Sequence, residues 1–436
     1  MPRLTIPEPK EGLFEQGFGD HDKLSRKEIG GRLSELVERI NDPLVIALDG
    51  AWGSGKSFFL KCWVYEHVKE KYKRSTETVY FDAFAQDYLD DPLIDLTAAI
   101  SERIEREPQS PAAKTWKIAK NAAPFLGKAA FRLGTAALVG KAISLTGEDD
   151  GDLNNIGDKL SEEGGEISKS LTEFWMKEDG RRAAMSAFKG ALVKLTDPDG
   201  TGSPKNKLII VVDELDRCRP DYALSLLETT KHVFDVEGVH FVLGVNLTQL
   251  QNSVKARYGS GTEAEAYLQK FYSLKFKLPR NIQYTRDYVH YFNYASAQMQ
   301  IPLPIHKTTR ALLELYSGPL PMTLRTTQRI LSALALLPLN RPQHISDEIL
   351  VAAAIVKVCA PQTYELMREN KLTPQDLQEV FNFDQSDLAS WTRVLRAAQG
   401  RKEVFGPSTL LIPENLLPEI CDEYLEVFDS SALQIG

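Results

Sequence analysis

The chain has 436 residues, of which 43% are hydrophobic and 26% charged, and its formal net charge at pH 7 is -8. These values are ordinary for a soluble globular protein and allow two or three domains. The negative charge argues against a broadly basic nucleic-acid-binding surface and leaves only a local basic groove open.

Cysteine spacing and hydropathy narrow the class of protein further. The four cysteines are far apart and form no CxxC pair, which argues against a disulfide framework and against a metal site. No run of about 18 uncharged apolar residues occurs, and the N-terminal MPRLTIPEPKEG lacks the apolar core of a signal peptide. We therefore expect a cytoplasmic protein without a transmembrane span.

The first motif follows the first strongly apolar run of the chain. Leu44–Leu48 predicts a buried parallel strand, Gly50–Ser57 (GAWGSGKS) follows it, and Phe58–Val68 predicts a helix. The glycines allow backbone N–H groups to turn inward around a phosphate, at a helix N-terminus whose dipole favours anions. Strand, loop and helix in this order indicate a phosphate-binding loop, so we predict that the chain binds a nucleoside triphosphate.

The loop also predicts individual ligands. Lys56 is expected to reach the β- and γ-phosphates, and the Ser57 hydroxyl is expected to ligate Mg²⁺. The residues predicted to contact the nucleotide belong to the loop or directly follow it: Gly50, Trp52, Gly53, Ser54, Gly55, Lys56, Ser57 and Phe58.

Two carboxylates follow another buried strand. Leu208–Val212 is a continuous apolar run that ends in Asp213 and Glu214, and ligands of open α/β sheets bind at this carboxyl edge. Asp213 is predicted to hold Mg²⁺, usually through water, and Glu214 to polarise an attacking water as a general base. Acidic residues that simply end a strand or cap a helix are the alternative.

Further strands and a helix complete an alternating pattern. Thr78–Phe81 and His240–Val245 predict strands, and Asp221–Val233 has helical spacing. Asn246 ends the later strand and is predicted to sense the γ-phosphate and orient the water, or else to be an ordinary Asn in a turn. The alternation predicts an α/β fold, a parallel sheet with helices on both faces.

Four runs of the sequence resemble the KAP family of P-loop NTPases, within the additional-strand, catalytic-glutamate class. They are GAWGSGKS, the block VVDELDRCRP with its specific Asp213–Cys218 part, Ala266–Arg280 (AYLQKFYSLKFKLPR), and MTLRTTQR. The last run matches the helical lid of the family and places Arg325 and Arg329 at its paired arginines. The resemblance covers Asp20–Phe84 and Lys207–Leu337.

This chain also departs from the family pattern. Glu214 stands where many members carry Asp, Asn246 where the strand often ends in Asp, and Phe84 where Trp is typical. Many members carry transmembrane helices between the two phosphate-site motifs, and this chain does not. The departure at Glu214 favours hydrolysis, whereas the one at Asn246 weakens its sensing role.

Several arginines are candidates for stabilising the transition state of phosphoryl transfer. Arg325 is predicted as the catalytic one because of its match to the lid pattern, and Arg329 lies one helical turn further on. A solvated basic pair is the alternative. Arg217 is expected to pair with Asp216 or to act in trans across an interface, and Arg280 is a weaker candidate.

The chain between the two phosphate-site motifs is longer than one helix–strand–helix unit requires. We expect the first half of the NTPase domain in 1–105, a largely helical or flexible insertion in 106–205, and the second half in 206–282. A helical lid and a C-terminal helical domain are expected in 283–436. The Ala- and Gly-rich run with basic residues between Lys117 and Lys141 predicts a membrane-surface or docking helix, or an ordinary packing element. The acidic stretch after it predicts a mobile loop.

These motifs predict a Mg²⁺-dependent ATPase. ATP is favoured over GTP by the family and by the absence of an NKxD element, since Asn246–Gln249 lacks its Lys and Asp. A nucleotide-gated oligomeric scaffold with little turnover and a small-molecule kinase are the alternatives. The resemblance further implies a soluble bacterial protein that is encoded among mobile-element or phage-defence genes and acts with partner effector proteins. We also expect a homo-oligomer.

Overall fold

The computed structural model describes residues 3–6, 17–19, 22–69, 75–88, 92–106, 111–122, 178–233, 235–278, 286–337, 345–398 and 415–425. Its centre is a five-stranded sheet with the strand order β2-β3-β4-β1-β5, in which every neighbouring pair is parallel. The strands are β1 Leu44–Asp49, β2 Thr76–Asp82, β3 Lys207–Asp213, β4 Val239–Val245 and β5 Leu274–Lys277.

Helices account for most of the remaining described residues. Those that precede β5 are α1 Lys27–Arg39, α2 Lys56–Lys69, α3 Ala83–Gln86, α4 Pro92–Glu105, α5 Pro111–Ala122, α6 Glu178–Thr196, α7 Pro220–Lys231, α8 Leu247–Tyr258 and α9 Ala264–Leu268. Those that follow it are α10 Arg286–Gln298, α11 Leu303–Leu315, α12 Leu324–Ala335, α13 Asp347–Cys359, α14 Pro361–Arg368, α15 Pro374–Gln378, α16 Gln385–Ala398 and α17 Leu416–Glu419.

The sheet is covered by helices on both faces. Successive side chains of a strand point to opposite faces, so the continuous apolar run of β1 supplies two separate cores. Ile46 and Leu48 pack with α1 and α2, whereas Val45 and Ala47 belong to the core formed with α4, α7 and α8. Every residue of β1 and β4 is buried, as strands in the middle of a two-sided sheet must be.

A third core lies outside the sheet and consists of helices. It joins residues of α10 to α16 with Leu416, Leu417, Ile420 and Cys421. At its centre α13 is apolar all round, and Ile349–Val356 are buried without a break. A helix without a polar face is stable in water only when other helices surround it, which is the position α13 occupies.

The predicted α/β architecture and its strands at β1 to β4 are confirmed. The sequence did not reveal β5, because this edge strand has only four residues and three of them are exposed. Helices α5 and α6 lie in the predicted insertion, and the rest of its basic run, from 123, and the acidic stretch lie outside the described residues. Among described residues, no helix is both long enough and apolar enough to cross a bilayer.

Two adjacent glycines in α1 have opposite surroundings. A Cβ added to Gly31 would meet nothing within 4 Å, whereas one added to Gly30 would lie 2.8 Å from the ring of Phe18. We expect Gly31→Ala to raise the free energy of unfolding by about 0.5–1 kcal/mol, because alanine loses less backbone entropy in a helix.

Gly30→Ala is the matched variant and should lower the free energy of unfolding. The same helical gain is outweighed by overpacking against the buried Phe18 ring, which costs about 1–3 kcal/mol. Urea unfolding of both variants measures the difference. Equal shifts in the two midpoints would contradict the packing described for α1.

Candidate active site

A cavity with a volume of about 700 Å³ lies where the predicted motifs meet. Strand β4 lies between β1 and β3, and the three strands are parallel. Their carboxyl ends therefore lie at the same edge of the sheet. The cavity is lined on this side by Gly53, Gly55, Lys56, Ser57, Phe58, Asp213, Glu214, Asp216 and Arg217. The predicted contacts Gly50, Trp52 and Ser54 belong to the loop but do not line the cavity.

The phosphate loop requires glycine at two positions. Gly53 and Gly55 have φ values of +77° and +80°, in the left-handed region that side chains rarely adopt. A Cβ on Gly53 would also lie 2.5 Å from the Cβ of Arg325. The loop therefore owes its shape both to backbone conformations that suit glycine and to a helix packed directly against it.

Lys56 is buried beneath the loop. Its Nζ donates to the carbonyl oxygen of Gly50 at 2.6 Å. Burial lowers the pKa of Lys56, while the nearby carboxylates of Asp216 and Asp213 act in the opposite direction. The ammonium group thus lies among acceptors, where a phosphate oxygen can replace a carbonyl.

Asp213 ends β3 as a fully buried carboxylate. Its Oδ2 accepts from the hydroxyl of Tyr80 at 2.8 Å, and its Oδ1 accepts from the N–H of Glu214 at 2.8 Å. Burial raises the pKa of Asp213, and the bonds from Tyr80 and Ser57 oppose the rise. A Cβ at Gly244 on the neighbouring strand would lie 2.4 Å from Oδ1, so glycine is required there.

Glu214 lies between the loop and an arginine. Its backbone is left-handed, with φ of +58°, an uncommon conformation for a non-glycine residue that aims the side chain at the loop. Its Oε1 accepts from the Ser57 hydroxyl at 3.1 Å and lies 2.9 Å from the Arg217 guanidinium. Burial raises the pKa of Glu214, and Arg217 opposes that rise.

Of the two expectations for Arg217, the pair with Asp216 is wrong, and a role in trans across an interface stays a prediction. Arg217 pairs with Glu214 rather than with Asp216. Asp216 instead accepts from the indole N–H of Trp52 at 2.5 Å. The short 3-10 turn Leu215–Arg217 explains why Arg217 pairs with Glu214, because such a turn places side chains three positions apart on the same side.

The start of α12 packs against the phosphate loop and lines the same cavity. The Thr323 side chain caps this helix, and the N–H of Leu324 donates to the carbonyl oxygen of Gly53 at 3.1 Å. Arg325 and Arg329 both line the cavity and are both exposed. The structure thus brings the predicted lid arginines to the same cavity as Lys56.

The remaining residues singled out in the sequence are Asn246, Phe84 and Arg280. Asn246 caps α8 by accepting from the N–H of Gln249 at 3.4 Å, and it does not line the cavity. Its sensing role stays a prediction. Phe84 lies in the short helix α3, directly after β2, and is 50% exposed. Arg280 lies outside the described residues.

Arg26 is a site residue that the sequence did not reveal. It precedes α1 and is only 3% exposed, and its guanidinium donates to the carbonyl oxygens of Ser54 at 2.6 Å and Gly55 at 3.0 Å. Burial lowers its pKa to about 10. Since C=O and N–H point in opposite directions across a trans peptide, Arg26 turns the N–H groups of Gly55 and Lys56 away from itself. No motif marks this residue or Tyr80.

We expect Arg26→Met to leave the carbonyl oxygen of Ser54 without a donor and that of Gly55 with only the N–H of Phe59. The loss of hydrogen bonds to a buried charged group should lower the free energy of unfolding by about 1–3 kcal/mol and weaken triphosphate binding. Urea unfolding and calorimetric titration with ATP measure the two effects. Arg32→Met, on the exposed face of α1, is the control, and equal behaviour of both variants would contradict this role.

One family and several solved structures are similar to this chain. The model of the KAP family P-loop domain matches residues 26–338. The Aeropyrum pernix ORC2 protein is a similar solved structure in its ADPNP-ADP complexes, with 12% identity, 92% of this chain and 94% of that chain covered, and a TM-score of 0.37. Its ADP form has 12% identity and a TM-score of 0.37 over 87% of this chain and 82% of that chain. No curated protein matches. The family match spans well over half of the sequence, and the chain therefore belongs to the KAP family of P-loop NTPases.

Proposed function

We propose that this protein binds and hydrolyses ATP with Mg²⁺. The observation that carries the proposal is the meeting of Lys56, Ser57, Asp213 and Glu214 in one cavity, although the two pairs are far apart in the sequence. A lysine for the phosphates beside two carboxylates and a hydroxyl is the set that phosphoryl transfer to water requires.

The residues of the chain have separate tasks in this reaction. The N–H groups of the loop and Lys56 bind the phosphates, and the bond to Gly50 is exchanged for bonds to phosphate oxygens. Glu214 accepts a proton from the attacking water, for which its carboxylate must be ionised. Arg325 lines the same cavity, and its charge would stabilise the transferring phosphoryl group.

The oxygen ligands in the cavity fit Mg²⁺. Asp213 supplies a buried carboxylate, and the Ser57 hydroxyl is close enough to oppose the rise in its pKa. Mg²⁺ usually takes one or two protein carboxylates and completes its shell with water and substrate phosphates. When bound, the ion would neutralise charge that develops on the phosphate oxygens. A Mg²⁺ ion held in this way does not require three clustered His, Cys, Asp or Glu side chains. The described residues contain no such cluster.

A wider role follows from the family, and we propose it on that ground. The chain would act in the cytoplasm as the ATPase component of a phage-defence-like bacterial system, as a homo-oligomer with partner effector proteins. The second candidate function is a nucleotide-gated oligomeric scaffold. It is favoured by the pairing of Glu214 with Arg217, which holds the proposed base in place.

We expect Lys56→Ala to abolish ATP binding in either case, because the phosphates lose the one buried cation of the loop. Calorimetric titration with ATP and Mg²⁺ measures the affinity of this variant for ATP. Lys69→Ala, at the exposed end of α2, should bind normally. Unchanged binding by the Lys56 variant, or faster hydrolysis of GTP than of ATP by the natural chain, would contradict the proposal.

The variant Glu214→Gln separates an enzyme from a scaffold. In an ATPase it should bind ATP and lose turnover by about 10²–10⁴-fold, since the general base is removed. Phosphate release measures turnover, and light scattering after size exclusion, with and without ATP and Mg²⁺, reports assembly. Glu237→Gln, an exposed carboxylate, is the control. ATP-dependent assembly with equally slow turnover in both variants would identify a scaffold.

A further inference from the structure

Tyr80 lies behind the carboxylate that is proposed to hold Mg²⁺. It belongs to β2, and its hydroxyl donates to Oδ2 of Asp213 at 2.8 Å. Asp213 lines the cavity, whereas Tyr80 does not. The phenol therefore reaches a ligand in this cavity through Asp213 rather than by direct contact.

The register of the sheet explains how this hydrogen bond arises. Strands β2 and β3 are parallel, and Tyr80 stands opposite Val211, two residues before Asp213. Side chains two positions apart in a strand share a face, so Tyr80 and Asp213 point to the same side of the sheet. The two residues are diagonal neighbours, and the length of a tyrosine side chain brings its hydroxyl to the carboxylate.

The ring of Tyr80 is held on this face by α2. Tyr80 packs against the core that includes the buried residues of α2, and Nζ of Lys61 lies 5.5 Å from the centroid of its ring. Lys61 follows Ser57 by four residues, so the two side chains project from the same side of the helix. The helix that supplies the Ser57 hydroxyl therefore also contacts the phenol that donates to Asp213.

Protein donors reach both oxygens of the Asp213 carboxylate. Oδ2 accepts from Tyr80, and Oδ1 accepts from the N–H of Glu214 at 2.8 Å. A carboxylate has about four lone-pair sites, so these two bonds leave room for a ligand in the cavity. The orientation of the carboxylate is thus set by the protein before a ligand enters.

We propose that Tyr80 is a positioning residue that orients the Asp213 carboxylate for Mg²⁺. The assignment rests on the proposed function and concerns the metal half of the same site. Binding a metal ion fixes the rotation of a carboxylate, and the bond from Tyr80 removes much of that freedom beforehand. Residues that bond to a metal ligand without touching the metal typically account for about 10–100-fold in metal affinity.

A purely structural hydrogen bond is the alternative, and Tyr222 provides the comparison. Its hydroxyl donates to Oδ2 of Asp95 at 3.1 Å, and both residues are buried. Neither Tyr222 nor Asp95 lines the cavity. Tyr222→Phe is therefore the matched control for Tyr80→Phe, because each variant removes one hydroxyl donor from one carboxylate.

Calorimetric titration with ATP, once with Mg²⁺ and once with EDTA, isolates the metal-dependent gain in affinity. We expect this gain to fall about tenfold in Tyr80→Phe, while the affinity for ATP in EDTA stays within about twofold. Tyr222→Phe should retain both affinities. An undiminished gain in Tyr80→Phe would overturn the role of Tyr80, and so would an equal loss of affinity with and without Mg²⁺.

The Mg²⁺ dependence of phosphate release provides a second measurement. The half-saturating Mg²⁺ concentration should rise about tenfold in Tyr80→Phe, while kcat at saturating Mg²⁺ stays within about threefold. A kcat that is lowered equally at every Mg²⁺ concentration would indicate a structural role and contradict the proposal.

A double-mutant cycle tests whether Tyr80 acts through Asp213. Asp213→Asn should itself remove most of the metal-dependent gain, and adding Tyr80→Phe should reduce the gain no further, because the two residues share one bond. Additive losses would contradict a positioning role.

Lys61→Met is a second, milder variant that keeps the Tyr80 hydroxyl and frees one face of the ring. It should lower the metal-dependent gain about twofold to fivefold. Urea unfolding measures the stability of each variant. If Tyr80→Phe does not fold, an unchanged gain in Lys61→Met would overturn the proposal.

The unaltered chain distinguishes failure of this inference from failure of the proposed function. A metal-dependent gain that Tyr80→Phe retains would refute the role of Tyr80 alone. The absence of any gain in the unaltered chain would refute the proposed Mg²⁺ site, and the role of Tyr80 with it. The expected result is a gain that Tyr80→Phe reduces and Tyr222→Phe does not.

Discussion

The phosphate loop is held in shape by contacts from two distant parts of the chain, and the proposed chemistry depends on that shape. Arg26 donates to the carbonyl oxygens of Ser54 and Gly55 from one side. From the other side, Leu324 at the start of α12 donates to Gly53. The loop contributes glycines that can adopt left-handed conformations, and a flexible segment of this kind is ordered only when its carbonyl groups have partners.

These contacts bring residues from separate hydrophobic cores together around one cavity. Lys56 and Asp213 belong to elements of the sheet, whereas Arg325 and Tyr291 belong to helices of the C-terminal core. A nucleotide that fills the cavity would touch both bodies. Any movement of α12 relative to the sheet must also strain the bond between Leu324 and Gly53. If a nucleotide binds in this cavity, its binding and the position of α12 would be linked through this hydrogen bond.

The sequence predicted those parts of the site that are local. The loop with Lys56 and Ser57, and the strand ending in Asp213, are recognisable because the required residues are neighbours in the chain. Arg26 and Tyr80 were missed because their partners lie 28 and 133 residues away, and nothing in a local pattern marks such contacts. Arg217 shows the same limit at short range, since the turn geometry that directs it to Glu214 is not encoded by spacing alone.

The fold was predictable to a similar degree and for a similar reason. Strands β1 to β4 are buried on both faces, so their apolar runs are distinctive, whereas the exposed edge strand β5 has no such run. Asn246 illustrates how one residue fits two interpretations. It stands at the strand end where a sensor was predicted, and it also caps α8, a task that Asn performs well without any ligand.

Three of the polar side chains that the proposed reaction uses already have protein partners. Lys56 donates to Gly50, Ser57 donates to Glu214, and Glu214 pairs with Arg217. Triphosphate binding would therefore exchange partners, and its net gain is the difference between new and existing hydrogen bonds. For Glu214 the exchange matters most, because its Oε1 is shared by Ser57 and Arg217. If Ser57 turns to a metal ion, that oxygen loses one of its two donors and becomes a better proton acceptor.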